Sequence, residues 1–171
     1  MDMNISKKFQ IPNSKFYIPS KKGFTLIELL IVIGILAILA SVVIIAVNPV
    51  RQFASARNSQ RVSNLQAILN ATFQYAAENG GNFPATITPN QPSANCLTTA
   101  TNEICNTGGT CTGLIDLSVL TTNEKYLVSI PKDPSGATAN GSGYRITKSA
   151  NGRITVCAPS AELGETITYT R

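Results

Sequence analysis

Histidine and tryptophan are absent from this 171-residue chain, and only 13% of its residues are charged. Without histidine there can be no Ser-His-Asp or Cys-His catalysis, no HExxH zinc site and no imidazole proton shuttle. A Gly-rich phosphate loop, a nucleophile elbow and catalytic carboxylates at a recognisable spacing are also missing. No enzymatic activity and no cofactor are therefore expected. Aromatic residues make up only 6% of the chain, which leaves little for the stacking platform of a single-strand nucleic-acid binder.

What charge there is lies unevenly. The formal net charge is +5, yet Lys7, Lys8, Lys15, Lys21 and Lys22 all fall in the first 22 positions, against a single acid, Asp2. Setting that stretch aside leaves nine basic and eight acidic residues, a net charge of +1. The basic balance thus belongs to the N-terminus and describes topology better than a nucleic-acid partner.

Composition switches at Phe24. From Phe24 to Val47 the only charge is Glu28, and the nineteen residues from Leu29 to Val47 carry none. A helix spans the hydrocarbon core with about 20 apolar residues at ~1.5 Å each. The run is long enough to cross a membrane and too uniformly apolar for an ordinary amphipathic core helix. A cleaved secretory signal would have a shorter apolar region closed by a small-x-small site, and no Ala-x-Ala closes this one. The lysines on its N-side place that end in the cytoplasm and the residues beyond about position 50 outside.

Glu28 is out of place in such a run. A carboxylate in hydrocarbon costs about 2.5–3.5 kcal/mol unless it is neutral or paired, and no Lys or Arg lies within the span. Cutting the chain between Gly23 and Phe24 would supply a partner, an α-amino group with a reference pKa of ~7.7–8. That amine would sit four residues from Glu28, about one helical turn away. It could pair with its own Glu28 or with that of a neighbouring subunit.

The segment Lys21-Lys22-Gly23-Phe24-Thr25-Leu26-Ile27-Glu28, followed by Leu29-Leu30-Ile31-Val32-Ile33, resembles the prepilin motif of type IV pilins and type II secretion pseudopilins. The leader is longer than many, and Pro49 lies about a turn beyond the usual helix-breaking proline. The resemblance implies cleavage after Gly23 by a membrane prepilin peptidase, N-methylation of Phe24, and subunit docking directed by Glu28. It also implies a helical filament of the chain itself, built with a cytoplasmic assembly ATPase and a pilus or secretion platform protein. Pseudopilins often bind calcium in a C-terminal loop. Only Glu162 and Glu165 lie near that region here, and no metal site is expected.

Asn48-Pro49 should end or kink the helix. Beyond it Val62, Leu65, Leu69, Phe73 and Ala76 form one apolar stripe, stopped by Asn79-Gly80-Gly81. Together these predict one long rod from about Phe24 to Glu78. Arg57 and Arg61, one turn apart, read as a solvated or intersubunit face, and no nucleic-acid partner is expected.

Residues 116–120 read as a short helix capped by Asp116. Residues 126–134 read as a rigid extended-to-turn segment. Its Ile130-Pro131-Lys132-Asp133-Pro134 stretch, like Asn82-Phe83-Pro84 after the helix, resembles pseudopilins of the secretion type. Three alternating runs, around Tyr144 and Ile146, Ile154 and Val156, and Ile167 and Tyr169, predict antiparallel strands, with a type I′ turn at Asn151-Gly152.

The fold class expected is α+β, a long N-terminal helix whose second half covers a small antiparallel sheet. The expected divisions are a cleaved leader at 1–23, a membrane-spanning and assembly segment at 24–48, and an exported domain at 49–171. Cys96, Cys105, Cys111 and Cys157 all fall in that exported part, and their spacings match no zinc pattern. Disulfides suit an oxidising compartment. Three connectivities are open, with Cys105–Cys111 and Cys96–Cys157 preferred and free thiols the alternative in an anaerobic host. A membrane-anchored exported binding protein that never polymerises is the competing functional reading.

Overall fold

The computed structural model describes residues 23–87, 95–98 and 100–171. The leader expected at 1–23 lies outside these residues except for Gly23. The chain divides into two compact units, Met1–Ala46 and Val47–Arg171.

Helix α1, Leu26–Val47, belongs almost entirely to the first unit. Its stretch Leu26–Ile44 has a mean hydropathy of 3.0, and none of it is buried. Length and composition suffice to cross a membrane. A helix that is apolar all round and covered by none of the described residues requires another apolar environment.

Helix α2 follows as Pro49–Glu78, so the expected rod is two helices. The break falls at Asn48, whose φ of 44° and ψ of 77° are left-handed, a region that Asn tolerates better than most residues. Asn48 N-caps α2, its Oδ1 accepting from the Arg51 amide at 3.3 Å. Pro49 occupies the first helical position, where the missing N–H costs nothing. The proline therefore starts a helix here, and the residue before it ends the previous one.

Four antiparallel strands form one sheet in the order β1 (Glu103–Cys105), β2 (Gly141–Lys148), β3 (Ile154–Ala158) and β4 (Ile167–Thr170). The last three are the predicted strands. β1 is an addition, three residues long, with a register irregularity between Glu103 and Cys105.

The β2–β3 turn also departs from expectation. Only Gly152 there has a positive φ, 82°, and the Gly152 amide donates to the Ser149 carbonyl at 3.0 Å. A type I′ turn needs positive φ at both central residues, so Asn151-Gly152 is not one. It is the three-residue hairpin loop, a turn followed by one left-handed glycine.

α2 packs across β3 and β4 and buries Leu65, Ile68 and Leu69 against Tyr144, Ile146, Ile154, Val156 and Ile167. The opposite face of the sheet is covered too, because every residue of β3 is buried. The cover is α3, Asn95–Thr98, which packs on β2 and β3. Arg145 donates from Nη1 to the Leu97 carbonyl at 2.6 Å. A short helix of this length has little stability of its own. It is fixed by the Cys96–Cys157 disulfide, while Cys105–Cys111 closes a small loop beyond β1. Helix α4, Ser118–Thr121, is preceded by Asp116, whose Oδ1 accepts from the Ser118 amide at 2.8 Å.

Candidate functional site

The residues singled out at the N-terminus occupy a few consecutive positions. Gly23, Phe24 and Thr25 precede the first helical residue, Leu26, and all three are exposed. The Gly23–Phe24 peptide bond thus lies outside the helix, uncovered by any described residue. A peptidase needs a bond whose carbonyl and amide are not tied into a helical ladder, and this one meets that need.

Thr25 and Glu28 form a capping box at the head of α1. The Thr25 amide and hydroxyl donate to Glu28 Oε2 at 2.9 and 2.8 Å, and the Glu28 amide donates to Thr25 Oγ1 at 3.2 Å. Such reciprocal bonds satisfy donors that the first helical turn cannot satisfy itself. Both contacts to the carboxylate fall on Oε2. Among the described residues Oε1 receives no hydrogen bond, and no cation lies against Glu28.

A second constellation lies in the other unit and overturns the reading of Arg61 as part of a solvated or intersubunit face, while Arg57, its side chain 35% exposed, stays at the surface. Arg61 is 0% exposed, the largest fully buried side chain in the structure. Its Nε and Nη2 donate to the two oxygens of Asp133 at 2.7 and 3.0 Å. Nη2 also reaches Ser135 Oγ at 2.6 Å, while Nη1 reaches Asn58 Oδ1 and Glu162 Oε2, both at 2.9 Å. Arg57 grips Glu162 with two bonds of 2.7 Å. Asn58 completes the set: its Nδ2 donates to the Glu162 carbonyl at 2.9 Å, and its Oδ1 accepts from the Glu162 amide at 3.0 Å.

Electrostatics follow from this geometry. The Asp133 carboxylate raises the Arg61 pKa, with a further contribution from Glu162. Burial pushes the Asp133 carboxyl upward, but the Arg61 guanidinium and the amides of Ser135 and Gly136 outweigh it and leave its pKa lowered. Glu162 is lowered to about 2, first by Arg57 and then by Arg61. All members are therefore charged at neutral pH. Gly143 makes room for the arrangement: at φ 79°, a Cβ there would lie 2.7 Å from that of Asp133.

The cluster has no free acceptor array for a metal. Glu162 is occupied by two arginines, and Glu165 Oε2 accepts from Asn58 at 3.0 Å. No group of three or more His, Cys, Asp or Glu residues that could hold a metal is found among the described residues. Pattern reasoning missed the cluster, although a signal was available. Asn58, Arg61, Leu65, Ile68 and Thr72 repeat at three and four, which puts Arg61 on the buried stripe.

Comparison with known proteins adds one finding. Residues 18–44 match the family model of the prokaryotic N-terminal methylation motif. No curated protein and no solved structure was found to match the chain. An uncovered Gly-Phe junction, a capped Glu28 and an apolar helix all fall within the matched stretch. The chain accordingly carries the prepilin-type N-terminal signal of type IV pilins and pseudopilins, followed by a pilin-like α+β arrangement.

Proposed function

We propose that the chain is a structural subunit of a type IV pilus-like or pseudopilus filament. A prepilin peptidase cuts the precursor after Gly23, and Phe24 becomes the N-methylated first residue. Until assembly the subunit stays in the cytoplasmic membrane by α1, with its N-terminus inside and the unit from Val47 onward outside. An assembly ATPase and a membrane platform protein then extract it into a filament outside the cytoplasm. Neither catalysis nor a cofactor enters this function.

One observation carries the reading: Glu28 is the sole charged residue of a 22-residue apolar helix that none of the described residues covers. A carboxylate retained there at a cost of about 2.5–3.5 kcal/mol calls for a cationic partner. Its Oε1 is the oxygen that Thr25 leaves open, and cleavage at Gly23 creates an amine one helical turn away. In a helix bundle the nearest such amine can be a neighbour's, so that two poorly solvated charges satisfy each other on association. The apolar face of α1 meanwhile exchanges lipid for other copies of itself.

N-terminal sequencing and mass analysis of the mature protein test this. An N-methylated phenylalanine at position 24 is the expected start. A chain that retains Met1, or one cut beyond Ala40, would overturn the proposal in favour of a membrane-anchored exported binding protein.

A further inference from the structure

The unit from Val47 onward presents apolar side chains at the end where α1 enters it. On the first turns of α2, Val50 and Phe53 are 73% and 65% exposed. They lie three residues apart and share a helix face. Leu163, 48% exposed, lines a shallow depression with Val50, Arg51 and Ala54. Leu163 also holds a φ of 60°, a left-handed conformation that disfavours any residue with a Cβ. A strained, exposed leucine contributes nothing to the core of its own domain.

The polar cluster explains how that leucine is held. Its neighbour Glu162 is tied to α2 through side chain and backbone alike, by Arg57, Arg61 and Asn58. The clamp sets Leu163 beside the start of α2 and keeps it there.

We infer that Val50, Phe53 and Leu163 seat the exported unit on the outer bilayer surface before assembly, with Arg51 meeting lipid phosphate. Chain reach identifies the occupant. Val50 follows the last residue of α1 by three positions, so at ~3.3–3.6 Å per residue it lies within about 11 Å of the end of the apolar helix. The headgroup layer on each side of the hydrocarbon is roughly 5–7 Å deep. Apolar side chains beside an arginine at that depth suit an interfacial contact, in which the guanidinium reaches the phosphates and the hydrocarbon enters below them. The inference rests on α1 spanning the membrane.

The test uses the full chain, which lacks tryptophan, so each substitution installs a single fluorophore. Phe53→Trp, Leu163→Trp, Leu36→Trp and Val128→Trp are reconstituted separately in vesicles of phosphatidylcholine and phosphatidylglycerol, with and without brominated acyl chains. Leu36 lies mid-span in α1, and Val128 is exposed two residues after Tyr126, whose hydroxyl donates to Glu78 at the other end of α2. The expected result is strong quenching of Leu36→Trp, clear but smaller quenching of Phe53→Trp and Leu163→Trp, and none of Val128→Trp. Phe53→Trp behaving like Val128→Trp while Leu36→Trp is quenched would overturn the surface contact and leave the span intact. A blue-shifted but unquenched Phe53→Trp, whose shift fades on lipid dilution, would overturn it in favour of a second copy of the chain. An unquenched Leu36→Trp would overturn the membrane reading of α1 itself, and this inference with it.

Discussion

Arg61 and Asp133 are 72 residues apart in sequence and meet through two hydrogen bonds of 2.7 and 3.0 Å, each side chain fully shielded from water. The pair joins the helix that covers the sheet to the loop that leads into it. Two charges taken out of water are costly, and their attraction offsets that cost only while both are present and their remaining polar atoms are satisfied. Here they are, since Ser135, Gly136, Asn58 and Glu162 complete the shell.

Asp133→Asn should therefore destabilise the unit from Val47 onward by about 3 kcal/mol or more, because the charge of Arg61 stays buried with one partner fewer. Urea unfolding of the full chain in detergent, followed by circular dichroism, measures it. Replacing both partners, Arg61→Met with Asp133→Leu, should cost less than the two single changes combined, as coupled sites do. A single-variant loss below about 1 kcal/mol would show that the pair is not what holds this end of α2.

Acid stability follows from the same residues. Glu162 titrates in the folded chain at about 2, and Asp133 is also lowered, against ~4 for unfolded carboxylates. Depressed folded values mean that the unfolded state binds more protons, so stability rises with pH through this window. The contribution is complete above about pH 5 and is lost as pH falls from there toward 2. The urea midpoint should fall steeply over that range, and Glu162→Gln should flatten the fall. A midpoint unchanged from pH 7 to pH 3 would contradict the assignment.

The elements legible in the sequence are those whose pattern is local. The charge-free run, Glu28 within it, the stripe on α2, its stop at Asn79 and three alternating strands each announce themselves within a few residues. Arg61 did not, because its partners lie 72 and 101 residues away and an arginine one turn from another arginine reads as surface. β1 is too short to alternate, and it is a strand by virtue of pairing with β2. At the 151–152 turn the residue types fit two hairpin geometries, and the backbone adopted the looser one. The helix break at Asn48 was foreshadowed by Pro49, but only the backbone shows that the asparagine bears it.

The two disulfides should contribute unequally. Cys96–Cys157 closes a loop with a separation of 61 residues, Cys105–Cys111 one of 6. Loop-closure entropy then gives about 4 kcal/mol for the first and about 2 kcal/mol for the second. Cys96→Ser with Cys157→Ser should also release α3 from the outer face of β3, exposing the Cys157 position and Thr155. Hydrogen exchange across β2 and β3 would rise in that variant and stay near the parent level in Cys105→Ser with Cys111→Ser. Equal effects from the two pairs would indicate that α3 holds its place without the bond.

Glu28→Val separates capping from assembly. The substitution removes the carboxylate from the box with Thr25, which costs the first turn of α1 about 1 kcal/mol, a loss that an apolar environment around the helix readily absorbs. It also makes the span wholly apolar, so insertion should improve and processing at Gly23, which lies outside the helix, should continue. What it takes away is the acceptor that the proposed assembly offers the Phe24 amine. The expected outcome is a membrane-bound, processed subunit that is largely unassembled, read by fractionation and filament imaging alongside N-terminal sequencing. Thr25→Val supplies the contrast, since it loses the cap's hydroxyl but keeps the carboxylate, and it should assemble. Normal filaments from Glu28→Val would remove charge pairing from the account of assembly and leave the apolar surface of α1 to drive it alone.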